Sequence, residues 1–331
     1  MTNDHIEDKE VTWNIFDIPV YGTITTPIFT RAHPAIVFVA ASGPTDRNWC
    51  SPLLPGLNGS GKLLAEALAS QGFVTLRYDK LASGPHVRES IPKLVGKISM
   101  QSHMEELKGA VKTLIAEENV DKNNLFVLTN SEGAIHAVNY QLQAKSNCFK
   151  GLVLTGAPGR AVGELGRSQI FDQIKQLPNA QLLMKPYDDA VAQFMANKPM
   201  VIDASLPEGI RFLLRSLETP ANLPFSRELW MHRLPEFIAK VDEPMLVEIG
   251  KKDIQVDWKI DGALLEKATA QKPAVSFVYP ENANHVLKHE EMPLEKITAQ
   301  YVTLHYNAPD ARLDTEAAEV IFSWLKKQAQ K

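Results

Sequence analysis

The chain has 331 residues, 44% hydrophobic and 22% charged. That suffices for one large domain with an insertion or for two ordinary domains, and for a core that needs neither disulfide nor metal. A formal net charge of −4 with scattered lysines and arginines excludes a general field for nucleic acid or an anionic membrane. No apolar run reaches the ~20 residues of a membrane helix.

The first ten residues are acidic and polar, unlike a secretory leader. Cys50 and Cys148 form no C-x-x-C pair and read as free thiols of a cytoplasmic protein. Residues 10–27 alternate in short β-prone runs, Val11–Ile15 and Val20–Ile24, and predict an antiparallel pair. From Ala35 the pattern changes. Ala35–Ala41 is apolar on both faces and ends in Ser42-Gly43-Pro44, as expected of a strand covered by helices on each side. Further strands are predicted at 73–78, 125–129, 151–155, 244–250 and 275–279. Helical stretches at 62–70, 104–118 and 134–144 separate the earlier ones. This alternation predicts an α/β class with a doubly wound, mostly parallel sheet.

The interval from Gly156 to Val241 breaks the rhythm. It is rich in Leu, Ala, Met and Gln, is broken by Pro178, Pro186, Pro199, Pro207, Pro220 and Pro224, and reads as several short helices. An insertion at that point would sit above the carboxyl edge of the sheet, where ligands bind in open α/β folds. The expected organisation is therefore a core of residues 1–156 and 242–331 with a helical cap, or lid, at 157–241.

Asn130-Ser131-Glu132-Gly133-Ala134 follows the strand at 125–129 and opens a helix of small residues. This is the setting of a nucleophilic serine on a tight strand-to-helix turn. The usual G-x-S-x-G is incomplete, because Thr129 stands in place of the first glycine. Chain order supplies the support. The strand at 244–250 runs into Gly250-Lys251-Lys252-Asp253, and the strand at 275–279 into Asn282-Ala283-Asn284-His285. Ser131, Asp253 and His285 thus fall at strand ends in the order serine, acid, base. The chemistry needs all three. A serine hydroxyl attacks poorly unless an imidazole takes its proton, and a carboxylate fixes the tautomer of that imidazole. Asp257 and Asp261 compete for the acid position and His289 for the base. The oxyanion of an acyl-transfer site requires N–H donors. Glu132 is one candidate and Ser42 or Gly43 the other, since Pro44 has no N–H to offer.

Ala41-Ser42-Gly43-Pro44-Thr45-Asp46-Arg47-Asn48 is similar to the G-S-G-P-T-D-R-D loop of bacterial α/β-hydrolases of the dienelactone-hydrolase and carboxylesterase kind. Arg77-Tyr78-Asp79-Lys80, Asn130-Ser131-Glu132-Gly133, Gly250–Val256 and Asn284-His285 match that family's later motifs in order. The departures are Thr129, Asn130 in place of the usual histidine, and Leu81-Ala82-Ser83-Gly84 in place of R-G-x-G. The resemblance implies an α/β-hydrolase fold with a cap, and a serine esterase acting without cofactor or metal on a small-molecule acyl substrate. Thioester or amide cleavage by the same trio, and a degenerate hydrolase that only binds, are the rivals. Arg77 and Asp79 are expected to tie the turn beneath the site.

Two other signals fail on chemistry. Gly56–Leu63 approaches a phosphate-binding loop but lacks the hydroxyl after Lys62, and its glycines are expected to shape a turn before a helix. His285 and His289 stand four apart without the glutamate a zinc protease needs.

Overall fold

A computed structural model describes residues 5–28 and 32–331. Eight strands form one sheet in the order β1-β2-β4-β3-β5-β6-β7-β8. They are β1 (Ile6–Ile15), β2 (Ile18–Pro27), β3 (His33–Val39), β4 (Val74–Tyr78), β5 (Val120–Asn130), β6 (Gly151–Thr155), β7 (Met245–Glu248) and β8 (Val275–Val278). From β4 to β8 every pairing is parallel. β1 and β2 add an antiparallel edge beside β4. Their two-residue turn, Phe16-Asp17, holds both residues at positive φ (51° and 62°), the conformation that matches the twist of a tight hairpin.

Helices α1 (Ser60–Ser70), α2 (Val87–Leu94), α3 (Met100–Leu114) and α4 (Gly133–Gln143) fall between the early strands. Residues alternate across the sheet with period two. Ile36 and Phe38 face Leu64 and Leu68 of α1, whereas Val37 and Val39 face Leu107 and Val111 of α3 and Ile135 and Val138 of α4. The run at 35–41 is continuously apolar because each of its faces meets a helix layer. Full burial of each such side chain contributes about 1.5–3 kcal/mol.

Between β6 and β7 the chain forms five helices: α5 (Val162–Ile174), α6 (Ala180–Met195), α7 (Glu208–Leu217), α8 (Phe225–Trp230) and α9 (Leu234–Ile238). The first three of these enclose a core of their own, including Ile170, Met184, Tyr187, Ile210 and Leu214. Leu234 and Ile238 of α9 instead join the main core beneath the sheet. The helical insertion therefore returns to the sheet layer a few residues before 242. After β7 come α10 (Ile260–Ala268), α11 (Ala299–His305) and α12 (Thr315–Ala329). Ile321 and Leu325 of α12 cover the α1 face of the sheet. None of the described helices is long and apolar enough to cross a membrane.

Candidate active site

Ser131 leaves the carboxyl end of β5 with φ 53°, a left-handed conformation that costs a non-glycine residue energy and is kept only where surrounding structure enforces it. Its N–H donates to Thr155 O on β6 (2.8 Å). Crowding falls on the far side of the turn. A Cβ on Gly133 would lie 2.4 Å from Val39 O. The two departures in this turn both find partners. Thr129 Oγ1 donates to Val153 O (3.3 Å), and the Thr129 carbonyl accepts from Thr155 Oγ1 (2.7 Å). Asn130 Nδ2 donates to the carbonyl of His285 (2.9 Å), so this residue ties the turn at Ser131 to the loop of His285.

The loops that carry Asp253 and His285 touch closely. A Cβ on Gly250 would lie 1.9 Å from Ala283 O, and Lys252 N–H donates to that carbonyl (3.0 Å). Asp253 Oδ1 accepts from the N–H groups of Gln255 (2.7 Å) and Val256 (2.9 Å). Asp253 Oδ2 lies 2.7 Å from His285 Nδ1. Both side chains are buried. A carboxylate only accepts, so the imidazole proton sits on Nδ1, and Nε2 keeps its lone pair for a hydroxyl. The Ser131 hydroxyl makes no hydrogen bond to that nitrogen here; such contacts often tighten only with substrate bound. The imidazole lies over β6: a Cβ on Gly156 would be 3.0 Å from His285 Cε1.

Around His285 the chain is braced on all sides. Asn284 Oδ1 accepts from the N–H groups of Val286 (3.1 Å) and Lys288 (3.0 Å). Lys288 Nζ donates to Asn58 O (2.8 Å) and Ala311 O (2.9 Å), and burial pushes its amine down to about 8. Tyr306 packs beside the pair; burial, and then the Asp253 charge, push its phenol upward. The competing residues are engaged elsewhere. Asp257 accepts from the first N–H groups of α10. Asp261 accepts from Gly159 N (3.0 Å), Arg160 N (2.8 Å) and the Arg160 guanidinium, which fixes the entrance to the helical insertion. His289 Nδ1 pairs with Asp314 (2.8 Å).

The N–H groups of Ser42, Gly43 and Glu132 donate to no acceptor among the described residues. The loop that carries the first two is held from below. Asp79 accepts from Arg47 through its N–H (2.8 Å), Nε (3.0 Å) and Nη2 (2.8 Å). Buried Arg77 donates to Asn48 Oδ1 (2.5 Å). This is the bracing role expected of Arg77 and Asp79. Gly59 and Gly61 press against Asn48 and Trp49 at the start of α1, which is the turn expected in place of a phosphate loop. Sequence reasoning missed what lies under Glu132. Its carboxylate is buried, with Lys80 Nζ at 2.9 Å and His136 Nε2 at 3.0 Å from Oε1. Burial pushes this carboxyl up, but Lys80 and His136 together hold it well below the usual range. A cavity of about 780 Å³ opens beside the loop, between Pro44, Arg47, Leu57 and His86; none of Ser131, Asp253 and His285 lines it.

No family model matches the chain. It is similar to Esterase EstD of Thermotoga maritima, 26% identical over 287 residues. That match covers 86% of this chain and 61% of the relative, so the chain spans about three fifths of the length of the curated relative it matches. Among solved structures, Est1E from Butyrivibrio proteoclasticus with bound ferulic acid superposes with a TM-score of 0.58 at 12% identity, over 97% of this chain and 100% of that one. Proline iminopeptidase from Mycobacterium smegmatis gives 0.56 at 16% identity, over 97% and 99%. At such identities the likeness is one of architecture, and the architecture is the α/β-hydrolase fold.

Proposed function

We propose that the chain is a serine hydrolase that cleaves carboxylic esters with small to medium acyl groups. The observation that carries this reading is the buried Asp253–His285 pair, whose loop Asn130 ties to the left-handed turn at Ser131. Ser131 Oγ attacks the acyl carbon, and its proton passes to His285 Nε2. Asp253 holds the opposite side of the ring and stabilises the imidazolium that results. The N–H groups of Glu132 and of Ser42 or Gly43 receive the charge that develops on the carbonyl oxygen. His285 then protonates the leaving alkoxide. Water, activated by the same imidazole, attacks the acyl-enzyme, and Ser131 recovers its proton. No step calls for a cofactor. The helices between β6 and β7 are the cap of this site, anchored at its base by Asp261 and Arg160.

A fluorophosphonate probe tests the nucleophile. It is expected to label the wild-type chain and not Ser131→Ala; equal labelling of both refutes the assignment. A p-nitrophenyl ester series of increasing acyl length, run beside an acyl-CoA and an aminoacyl anilide, tests the bond cleaved. Turnover of the anilide or thioester above every ester would replace esterase by peptidase or thioesterase. No turnover of any substrate, with no labelling, would leave a binding protein.

A further inference from the structure

Lys80 stands two residues beyond β4, 4% exposed, and serves none of the chemical steps above. Its ammonium donates to two acceptors from different loops: Ala41 O at 2.5 Å and Glu132 Oε1 at 2.9 Å. The Ala41 carbonyl and the Ser42 N–H belong to one planar peptide group, so an ammonium gripping the carbonyl sets the direction in which the N–H points. The other acceptor belongs to Glu132, whose own N–H is the second candidate donor. One side chain therefore bridges the two segments that must converge on a single oxygen.

We propose that Lys80 is the positioning residue of the oxyanion hole, fixing the Ser42 peptide and Glu132 relative to each other. This rests on the serine-hydrolase reading and commits it to Ser42, rather than Gly43, as the second donor. Two further observations fit. Thr45 Oγ1 donates to the Ser42 carbonyl (2.8 Å), which locks the next peptide in turn. His136 Nε2 lies 3.0 Å from Glu132 Oε1 and, as the carboxylate only accepts, carries the proton of that bond; burial pushes its imidazole down. With Lys80 gone, Glu132 would keep His136 but lose its link to the Ala41 loop. Donors aimed in advance stabilise a developing oxyanion; donors free to turn must be reoriented during the reaction.

The test uses Lys80→Met and the charge-balanced pair Lys80→Met with Glu132→Met, which swaps a buried ion pair for apolar side chains and keeps the fold if the single variant does not. Hydrolysis of p-nitrophenyl acetate is measured beside inhibition by an aryl trifluoromethyl ketone, which adds to the serine and forms an oxyanion, and by its methyl ketone counterpart, which does not. In both variants kcat is expected to fall about ten- to a hundredfold with KM within about twofold, and the trifluoromethyl ketone to weaken by the same factor as kcat. The methyl ketone is expected to bind unchanged. A folded variant with wild-type kcat overturns the proposal. So does recovery of kcat in the paired variant, which would make the role one of charge alone. Equal weakening of both ketones also overturns it, because that marks a general loss of structure. Failure of the wild-type chain to react with a fluorophosphonate removes the serine-hydrolase reading itself, and this proposal with it.

Discussion

Glu248 ends β7 with its side chain fully buried and neither carboxyl oxygen hydrogen-bonded. Burial, and then the charges of Asp314 and Glu316, push its carboxyl well above the ordinary value of 4.5. The folded state therefore keeps a proton that the unfolded chain releases. Where the native state binds more protons, stability falls as pH rises. The contribution is fully present below pH 4.5 and is lost progressively up to the folded value. One proton gives a slope of at most about 1.4 kcal/mol per pH unit, so the wild-type chain should lose stability through this group as pH rises above 4.5 toward the raised folded value. Glu248→Gln cannot ionise and lacks this slope. Urea unfolding of both chains at several pH values gives the difference, in which all other titrating groups cancel. The variant is expected to gain on the wild type steadily from pH 5 upward, whatever its absolute stability. Parallel stability curves over that range would mean that Glu248 is ionised in the folded state, and the argument from burial would be wrong.

Four further outcomes follow from the site. Asp253→Asn should leave the fold intact but lower kcat about a thousandfold or more, because an amide can donate to Nδ1 and impose the wrong tautomer; pre-steady-state ester hydrolysis measures this. Asn130→Ala removes the tether to the His285 carbonyl and should cost about 1 kcal/mol in denaturant unfolding, with a fall in kcat but little change in KM. Gly156→Ala places a Cβ 3.0 Å from the imidazole at a position whose φ is +54°; the fluorophosphonate labelling rate should drop although Ser131 is untouched. Asp261→Ala strips the Arg160 guanidinium and three backbone N–H groups of their acceptor and should cost about 3 kcal/mol, read as a lowered melting temperature.

The sheet and its mostly parallel pairing were legible because each central strand carries apolar residues on both faces, and the structure gives each face a helix layer. Boundaries were less so. β5 begins at Val120, not Leu125, because Asp121 to Asn124 are polar residues at an end of the sheet where pairing needs no apolar side chain. Likewise α2 and α12 went unread: one holds Pro92 within a short helix, and the other lies beyond the last recognised motif. Three short strings, after β5, β7 and β8, point to Ser131, Asp253 and His285, and the structure brings the last two into contact. Lys80 with Glu132 could not be found in this way. Their link spans 52 positions and depends on how two loops fold back over the sheet, which no local spacing encodes.

The incomplete motif at the serine shows where such a turn needs glycine in this chain. A side chain at 133 would strike the Val39 carbonyl, so that glycine is obligatory. At 129 a threonine is accommodated, because its hydroxyl turns along the sheet to Val153 O and β6 returns a hydroxyl to its own carbonyl. The demand for a small residue has instead fallen on Gly156, one position past β6, where the imidazole of His285 crosses the strand end. A string read around the serine counts one glycine missing. The packing around the His285 ring supplies another, 25 residues beyond Ser131 and outside the motif.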